Sequence, residues 1–179
     1  MAYNRTMKKQ EIVILTIIRI LLIAGTLFSL WFIFSNATAT GTVSSQQSTT
    51  VTDVVQDVVG TINPSSPIAN ATGREYDLLH SVIRDFAHFA QYFMLGAFGF
   101  GTYLSFKGKG NWGYTFIPVI SCFLTAATDE YVQSLTDGRG AQFADLTVDM
   151  TGAVMGALIA LLVFAIVCAA IASVKRRKA

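Results

Sequence analysis

The sequence predicts an all-α, polytopic membrane protein with four transmembrane helices and a short extracytoplasmic amphipathic helix. Of its 179 residues, 53% are hydrophobic and 13% are charged, whereas soluble domains carry about 25% charged residues. The apolar residues are gathered into long runs, as a chain that crosses lipid requires. The net charge of +2 is small and the basic residues stand at the ends of segments, so no nucleic-acid partner is expected.

The first predicted span covers residues 12–34, which is long enough to cross about 30 Å of hydrocarbon as a helix. A signal peptide is the alternative interpretation, because Ala37-Thr38-Ala39 resembles a cleavage site. The apolar region of a signal peptide is usually about 7–15 residues long. This run is longer, which favours an uncleaved helix.

Residues 35–81 are predicted to form an extracytoplasmic connection that contains the amphipathic helix. Its apolar side chains recur at helical spacing on one face, and they are Val51, Val54, Val55, Val58, Val59 and Ile62. Thr50 or Thr52 is expected to cap this helix, and Pro64 and Pro67 to follow its end. Valine is a mediocre helix former. The stripe therefore needs support, either as a lid on the protein's own helices or in the lipid interface.

The other three predicted spans cover residues 82–106, 112–130 and 146–174, and the whole chain, 1–179, is interpreted as one membrane domain. A tight basic loop is expected at 107–111. A turn is expected at Asp137-Gly138. The last run contains Gly152-x-x-x-Gly156, a spacing that permits close helix packing in lipid and leaves homo-oligomerisation open.

Three basic clusters predict the orientation of the chain in the cell membrane. They lie at Lys8-Lys9, at Lys107 and Lys109, and at residues 175–178. Positive clusters stay on the cytoplasmic side, and these three alternate as four spans with both termini cytoplasmic require. The connection at 35–81 and the polar segment after the third span then face outside.

This topology brings polar residues from three helices together at the outer face. Ionisable residues near lipid are unfavourable and mark a functional site by default. The candidate residues are Arg84, Asp85, His88, Tyr92, Asp129, Glu130, Gln133, Arg139, Asp145 and Asp149. Because carboxylates outnumber guanidinium groups, a buried cluster needs partners. Either the arginines bridge carboxylates as a structural network, or a proton, a cation or an amine-bearing ligand completes the site.

His88 and Glu130 are the candidate catalytic acid/base pair, with Asp145 expected to orient His88. Arg84 and Arg139 suit a phosphate or carboxylate, and the remaining candidates are assigned to ligand binding. We expect His88, Glu130, Arg139 and Asp145 to share one water-accessible pocket. No metal or other cofactor is predicted, because the apolar runs offer a single histidine and no zinc-ligand spacing. The simpler interpretation of His88 is a hydrogen-bonded interior histidine.

Three stretches of the chain, in order, resemble motifs of the VanZ family. The first runs Arg84-Asp85-Phe86-Ala87-His88-Phe89-Ala90-Gln91-Tyr92-Phe93-Met94-Leu95-Gly96. The second combines Asp129-Glu130-x-x-Gln133 with Gly138-Arg139 and Asp145, and the third is the glycine pair of the last helix. The family often has asparagine where Asp149 stands. The resemblance implies a small four-helix membrane protein of the bacterial cell envelope, associated with low-level resistance to teicoplanin and related glycopeptides.

Residues and resemblance together leave three functions open. In the first, the outer site binds or protects an envelope component and so contributes to glycopeptide resistance. The partners would be membrane lipid and a lipid-linked cell-wall precursor or a glycopeptide. In the second, the protein is a membrane enzyme that uses His88 and Glu130 on a lipid-linked cell-wall substrate. In the third, the polar network serves helix packing alone.

Overall fold

The computed structural model describes residues 2–106 and 114–177, and within these ranges it contains five α-helices and no β-strand. The helices are α1 (Ala2–Ala37), α2 (Gly41–Ile62), α3 (Arg74–Phe106), α4 (Phe116–Ser134) and α5 (Phe143–Arg177). The predicted all-α class is confirmed. The basic loop predicted at 107–111 lies outside the described residues, as does Lys178.

Two helices have the character of membrane spans. In α1 the segment Gln10–Ala37, and in α5 the segment Phe143–Val174, are long and apolar enough to cross a membrane. Their large apolar side chains are mostly exposed, for example Ile14 and Leu162, and water-soluble proteins avoid such broad apolar surfaces. Elsewhere in the described chain, α3 and α4 carry more polar groups, so length and composition alone do not identify them as spans.

The helix α3 is the centre of the bundle and contacts α1, α2, α4 and α5. Its closest approach is to α5, where backbone meets backbone. A Cβ added at Gly156 would overlap the Phe93 carbonyl, and one at Gly152 would overlap the Phe89 carbonyl. The Gly152-x-x-x-Gly156 pair therefore packs α5 on α3 within one chain. This face of α5 is covered by α3 and is not offered to a second copy.

The helix α1 packs along α3 from its middle onward. Midway along α1, the Arg19 guanidinium donates to the Ser105 carbonyl from Nε at 3.2 Å and from Nη2 at 2.8 Å, and it lies 4.4 Å from the centroid of the Phe106 ring. Near its end, Ile33 and Ala37 are buried. These contacts make α1 a part of the packed bundle.

The helix α2 begins about ten residues earlier than the sequence predicts. Its N-cap is Thr40, whose side chain accepts a hydrogen bond from the Val43 amide, so the predicted caps at Thr50 and Thr52 are wrong. Both of those hydroxyls lie inside the helix and donate to the carbonyls four residues earlier. The Ser/Thr/Gln stretch is a weak helix former, and contact with α3 supports it.

The valine stripe of α2 packs on the protein only in part. Val51 and Val55 line a cavity beside α3, as a lid would. Val55 is half-buried, but Val51 is 50% exposed, close to Val54 at 54% and Val58 at 53%, and Ile62 is 80% exposed. The lid interpretation therefore fits only the cavity-lining side of Val51 and Val55, and most of the stripe presents an apolar face that suits the lipid interface.

Candidate functional site

One end of the bundle, the polar end, is formed where α1 and α4 end and α3 and α5 begin. A turn at Gly138, whose φ is +73°, carries the chain from α4 towards α5, as the sequence predicts. The Gly41 amide donates to the Asp137 carbonyl at 2.9 Å, so the start of α2 is held against this turn. All the predicted site residues except Asp85 join the hydrogen bonds of this end. Asp85 is half-buried and lines neither of the two cavities described below.

Two contacts join α3 to α5 across the polar end. Arg84 Nη2 lies 3.3 Å from Asp145 Oδ2, and His88 Nδ1 lies 3.1 Å from Asp149 Oδ1. Both pairs are 61 residues apart in sequence, because α3 and α5 run parallel and each presents residues at i and i+4. Asp149 therefore orients His88, and the prediction that Asp145 does so is wrong.

A second chain of hydrogen bonds centres on Asp129. The Tyr92 hydroxyl donates to Asp129 Oδ2 at 3.1 Å, and Gln133 Nε2 donates to Asp129 Oδ1 at 3.0 Å. Gln133 Oε1 in turn accepts from Arg139 Nη2 at 2.6 Å, and Arg139 Nη1 donates to the Asn36 carbonyl at 2.9 Å. The chain links α3, α4, the loop after α4 and α1.

The two arginines therefore play different parts. Arg84 contacts a carboxylate, as the structural-network interpretation expects, whereas the bonds described for Arg139 go to an amide oxygen and a backbone carbonyl. The pKa of Arg139 is lowered by its partial burial, which outweighs the opposing effect of the nearby Asp129 carboxylate. Arginine remains charged at any physiological pH. Its charge compensates part of the acidic cluster, although the described residues provide no direct ion pair for it.

Two residues that bond to the predicted site residues carry no signal in the sequence. Asn36 accepts through its backbone carbonyl, and the Gln142 backbone amide donates to Glu130 Oε2 at 2.7 Å. Because these contacts use the main chain, no side-chain pattern signals them.

Several charged atoms of the polar end are buried and unpaired within the described part of the chain. They are Arg84 Nε, Glu130 Oε1 and Asp149 Oδ2. Four carboxylates are themselves buried, at Asp129, Glu130, Asp145 and Asp149, against the two guanidinium groups. Buried polar atoms without partners are rare in proteins, so these atoms indicate an incomplete site.

Predicted site residues line two adjoining cavities at the polar end, not the single pocket that the sequence predicts. The larger has a volume of about 480 Å³. Its apolar wall includes Phe32, Ile33, Val51, Val55, Ile83 and Phe86. Its polar lining includes Arg84, His88, Gln91, Asp129, Gln133 and Arg139. The smaller, of about 240 Å³, is mostly polar and contains Asp145 and the half-buried His80.

The two cavities share Arg84, Gln133 and Arg139 on their common border. Glu130 lines neither and lies buried behind them. Two groups of side chains there bring potential metal ligands together. The ligand atoms of His88, Glu130 and Asp145 lie within 4.8 Å of one another, as do those of His88, Asp129 and Asp149.

The fold and the site define a helical protein with membrane-spanning character and a buried acidic site at one end of its helices. A model of the VanZ/LLP1 family matches residues 20–165. The chain therefore belongs to the VanZ/LLP1 family, as its motifs predict. Neither the curated proteins nor the solved structures contain a match. Membership fits a cell-envelope protein linked to glycopeptide resistance.

Proposed function

We propose that the protein crosses the bacterial cell membrane four times, with both termini in the cytoplasm and the polar end outside. Two helices, α1 and α4, end at the polar end, and two others, α3 and α5, begin there, which is the alternation that four spans need. In the sequence, the basic clusters precede the apolar part of α1, follow the last residue of α3 and stand at the end of α5, which is the order that the positive-inside rule requires. The packing of α1 on α3 supports the interpretation that α1 stays in the protein as a span and is not cleaved as a signal peptide.

The proposed function of the polar end is to bind an amphiphilic component of the cell envelope. The observation that carries this proposal is the cavity of about 480 Å³, which has an apolar wall and a polar lining. Ligand pockets combine these properties, since apolar walls supply affinity and a few polar groups fix orientation. The apolar wall suits a lipid chain, and the polar lining, with Asp129 beside Arg84 and Arg139, suits a headgroup that carries both an amine and an anionic group.

The proposed link to resistance rests on the position of this cavity at the outer face of the membrane. A protein that binds an envelope component at the outer surface of the membrane keeps that component from a lipid-anchored glycopeptide, or binds the drug itself. Family membership supports the link, and the exposed valine stripe of α2 extends the apolar surface beyond the cavity.

The test is drug susceptibility of the native host. Deletion of the gene is expected to increase susceptibility to teicoplanin and lipoglycopeptides, and the wild-type gene to restore protection. An Ala87→Trp variant is expected to behave like the deletion, because Ala87 lines the cavity and an indole at this position would obstruct it. Susceptibility is measured as the minimal inhibitory concentration.

Ala169→Trp is the matched control, because Ala169 is exposed on the apolar part of α5 away from the polar end. It should protect as the wild type does, at equal protein level in the membrane. Unchanged susceptibility on deletion would remove the resistance role. Full protection by Ala87→Trp would show that the envelope component binds outside the cavity.

One observation favours a second candidate, an enzyme on a lipid-linked cell-wall substrate. His88 is oriented by Asp149, and Glu130 has an unpaired oxygen in the same cluster. An oriented histidine with a neighbouring carboxylate is the arrangement that general acid–base catalysis uses. In this candidate His88 and Glu130 transfer protons while Arg84 and Arg139, on the border of the cavities, hold the anionic group of the substrate.

For the enzymatic candidate, purified wild type is expected to turn over a lipid-linked precursor, and His88→Ala and Glu130→Gln to lose at least about 100-fold in rate, the lower bound for acid–base catalysis. Products are followed by thin-layer chromatography and mass spectrometry. Absence of turnover by the wild type, together with unchanged envelope lipids in the deletion strain, would eliminate this candidate and leave the binding function.

A further inference from the structure

The acidic cluster of the polar end has more negative than positive charge. Its four buried carboxylates face two guanidinium groups, and among the described residues only the carboxylate of Asp145 contacts a guanidinium directly, at 3.3 Å. Charge-assisted contacts are usually about 2.7–2.9 Å long, so this pair is loose. Asp129 and Glu130 are held by neutral donors alone. With His88 neutral, two negative charges remain without compensation.

Glu130 is the clearest sign that something is missing from the cluster. The residue is 7% exposed. One carboxylate oxygen, Oε2, accepts from the Gln142 amide, and the other, Oε1, is buried without a partner in the described chain. An unpaired buried carboxylate oxygen is strongly unfavourable, unless a cation or a proton occupies the space beside it.

His88 is held as metal-binding histidines are held. Its Nδ1 contacts the carboxylate of Asp149, which is fully buried. Because a carboxylate accepts hydrogen bonds, Nδ1 carries the proton and the lone pair of the neutral ring lies on Nε2. A carboxylate behind the histidine, fixing its tautomer and orientation, is the usual second layer of a metal site.

We propose that the polar end binds one divalent transition-metal ion through His88 Nε2, Glu130 and Asp145, with Asp149 as the residue that positions His88. Ligand atoms of these three residues lie within 4.8 Å of one another and come from α3, α4 and the first turn of α5. The +2 charge balances the two negative charges by which the four buried carboxylates exceed the two guanidinium groups. One imidazole with two carboxylates suits Zn²⁺ or Mn²⁺, whereas Mg²⁺ and Ca²⁺ prefer oxygen ligands alone.

The site goes beyond the proposed binding function and does not depend on it, since the metal can be measured without drug or lipid. The full-length protein is purified in detergent with a tag that contains no histidine, and is stripped with a chelator. Zn²⁺ is then titrated in competition with a chromophoric chelator, and Mn²⁺ by the loss of its free electron paramagnetic resonance signal.

The wild type is expected to bind one ion per chain, and its midpoint of thermal unfolding to rise with the metal. His88→Gln and Glu130→Gln are expected to weaken binding at least tenfold. Asp149→Asn should weaken it about 10–100-fold, the usual effect of losing an outer-layer partner. Glu75→Gln, the same chemical change at an exposed position in the first turn of α3, should bind as the wild type does.

Thermal unfolding of the metal-free proteins separates loss of the site from loss of the fold. Without metal, Glu130→Gln is expected to be at least as stable as the wild type, because it removes an unpaired buried charge. Absence of stoichiometric binding would overturn the proposal. So would binding that His88→Gln and Glu130→Gln leave unchanged, since the ion would then lie elsewhere on the surface. Either failure leaves the drug-susceptibility test of the cavity unaffected.

Discussion

Replacing Gly96 by alanine is expected to destabilise the protein by roughly 3 kcal/mol, the upper end of the usual penalty for overpacking a core. A Cβ at Gly96 would lie 2.8 Å from the carbonyl carbon and 2.9 Å from the Cα of Ala153 on α5, and would overlap the Ala153 oxygen. These are backbone atoms, so no side-chain rotation relieves the contact. The helices α3 and α5 would have to separate, which would also pull His88 and Asp149 apart.

Gly99→Ala is the matched control on the same helix. A Cβ at Gly99 would meet nothing within 4 Å, so alanine should be neutral or stabilise α3 by about 0.5–1 kcal/mol through its better helix propensity. Both variants are compared with the wild type by thermal unfolding in detergent and by the amount of protein in the membrane. Equal stability of Gly96→Ala and Gly99→Ala would contradict the close packing of α3 on α5.

Asp129→Ala is expected to have the second large effect. The change leaves two buried donors, the Tyr92 hydroxyl and the Gln133 side-chain amide, without their acceptor. A buried donor left unpaired is unfavourable by about 1–3 kcal/mol. Since Gln133 also holds Arg139, the loop after α4 should loosen as well. Asp129→Asn, which keeps one acceptor, should lie between alanine and the wild type.

A double-mutant cycle tests this explanation of the Asp129 effect. Tyr92→Phe removes the unpaired hydroxyl, so the variant with both changes should be less destabilised than the sum of the two single variants, by about 0.5–3 kcal/mol. Asp57→Ala is the control, because Asp57 is exposed on α2, and it should change stability by no more than about 0.5 kcal/mol. Strict additivity of Tyr92→Phe and Asp129→Ala would argue against a direct hydrogen bond between them.

The long apolar helices were predictable because their signal is an apolar composition along a continuous run of residues. The spans predicted at 12–34 and 146–174 lie inside α1 and α5. The third, predicted from 112, is found as α4 from Phe116 to Ser134, with residues 112 and 113 outside the described chain. Its Pro118 lies in the first turn, where a missing amide hydrogen does not matter. The start of α2 was not predictable, since its polar residues are helical only with support from α3.

Which residues form the polar end was also largely predictable, because ionisable side chains at the ends of apolar helices are unfavourable in lipid and gather where those helices end. Arg84, His88, Glu130 and Asp149 were identified in this way.

The sequence did not determine which side chains of α3 contact which side chains of α5. Arg84 and His88 are one turn apart on α3, and Asp145 and Asp149 are one turn apart on α5, so two pairings fit the sequence equally well. Only the parallel packing of the two helices, set by how closely the glycines let their backbones approach, assigns Asp149 to His88 and Asp145 to Arg84. Local pattern places polar groups at the ends of apolar helices, whereas partners, cavities and unpaired atoms depend on distances between helices far apart in the chain.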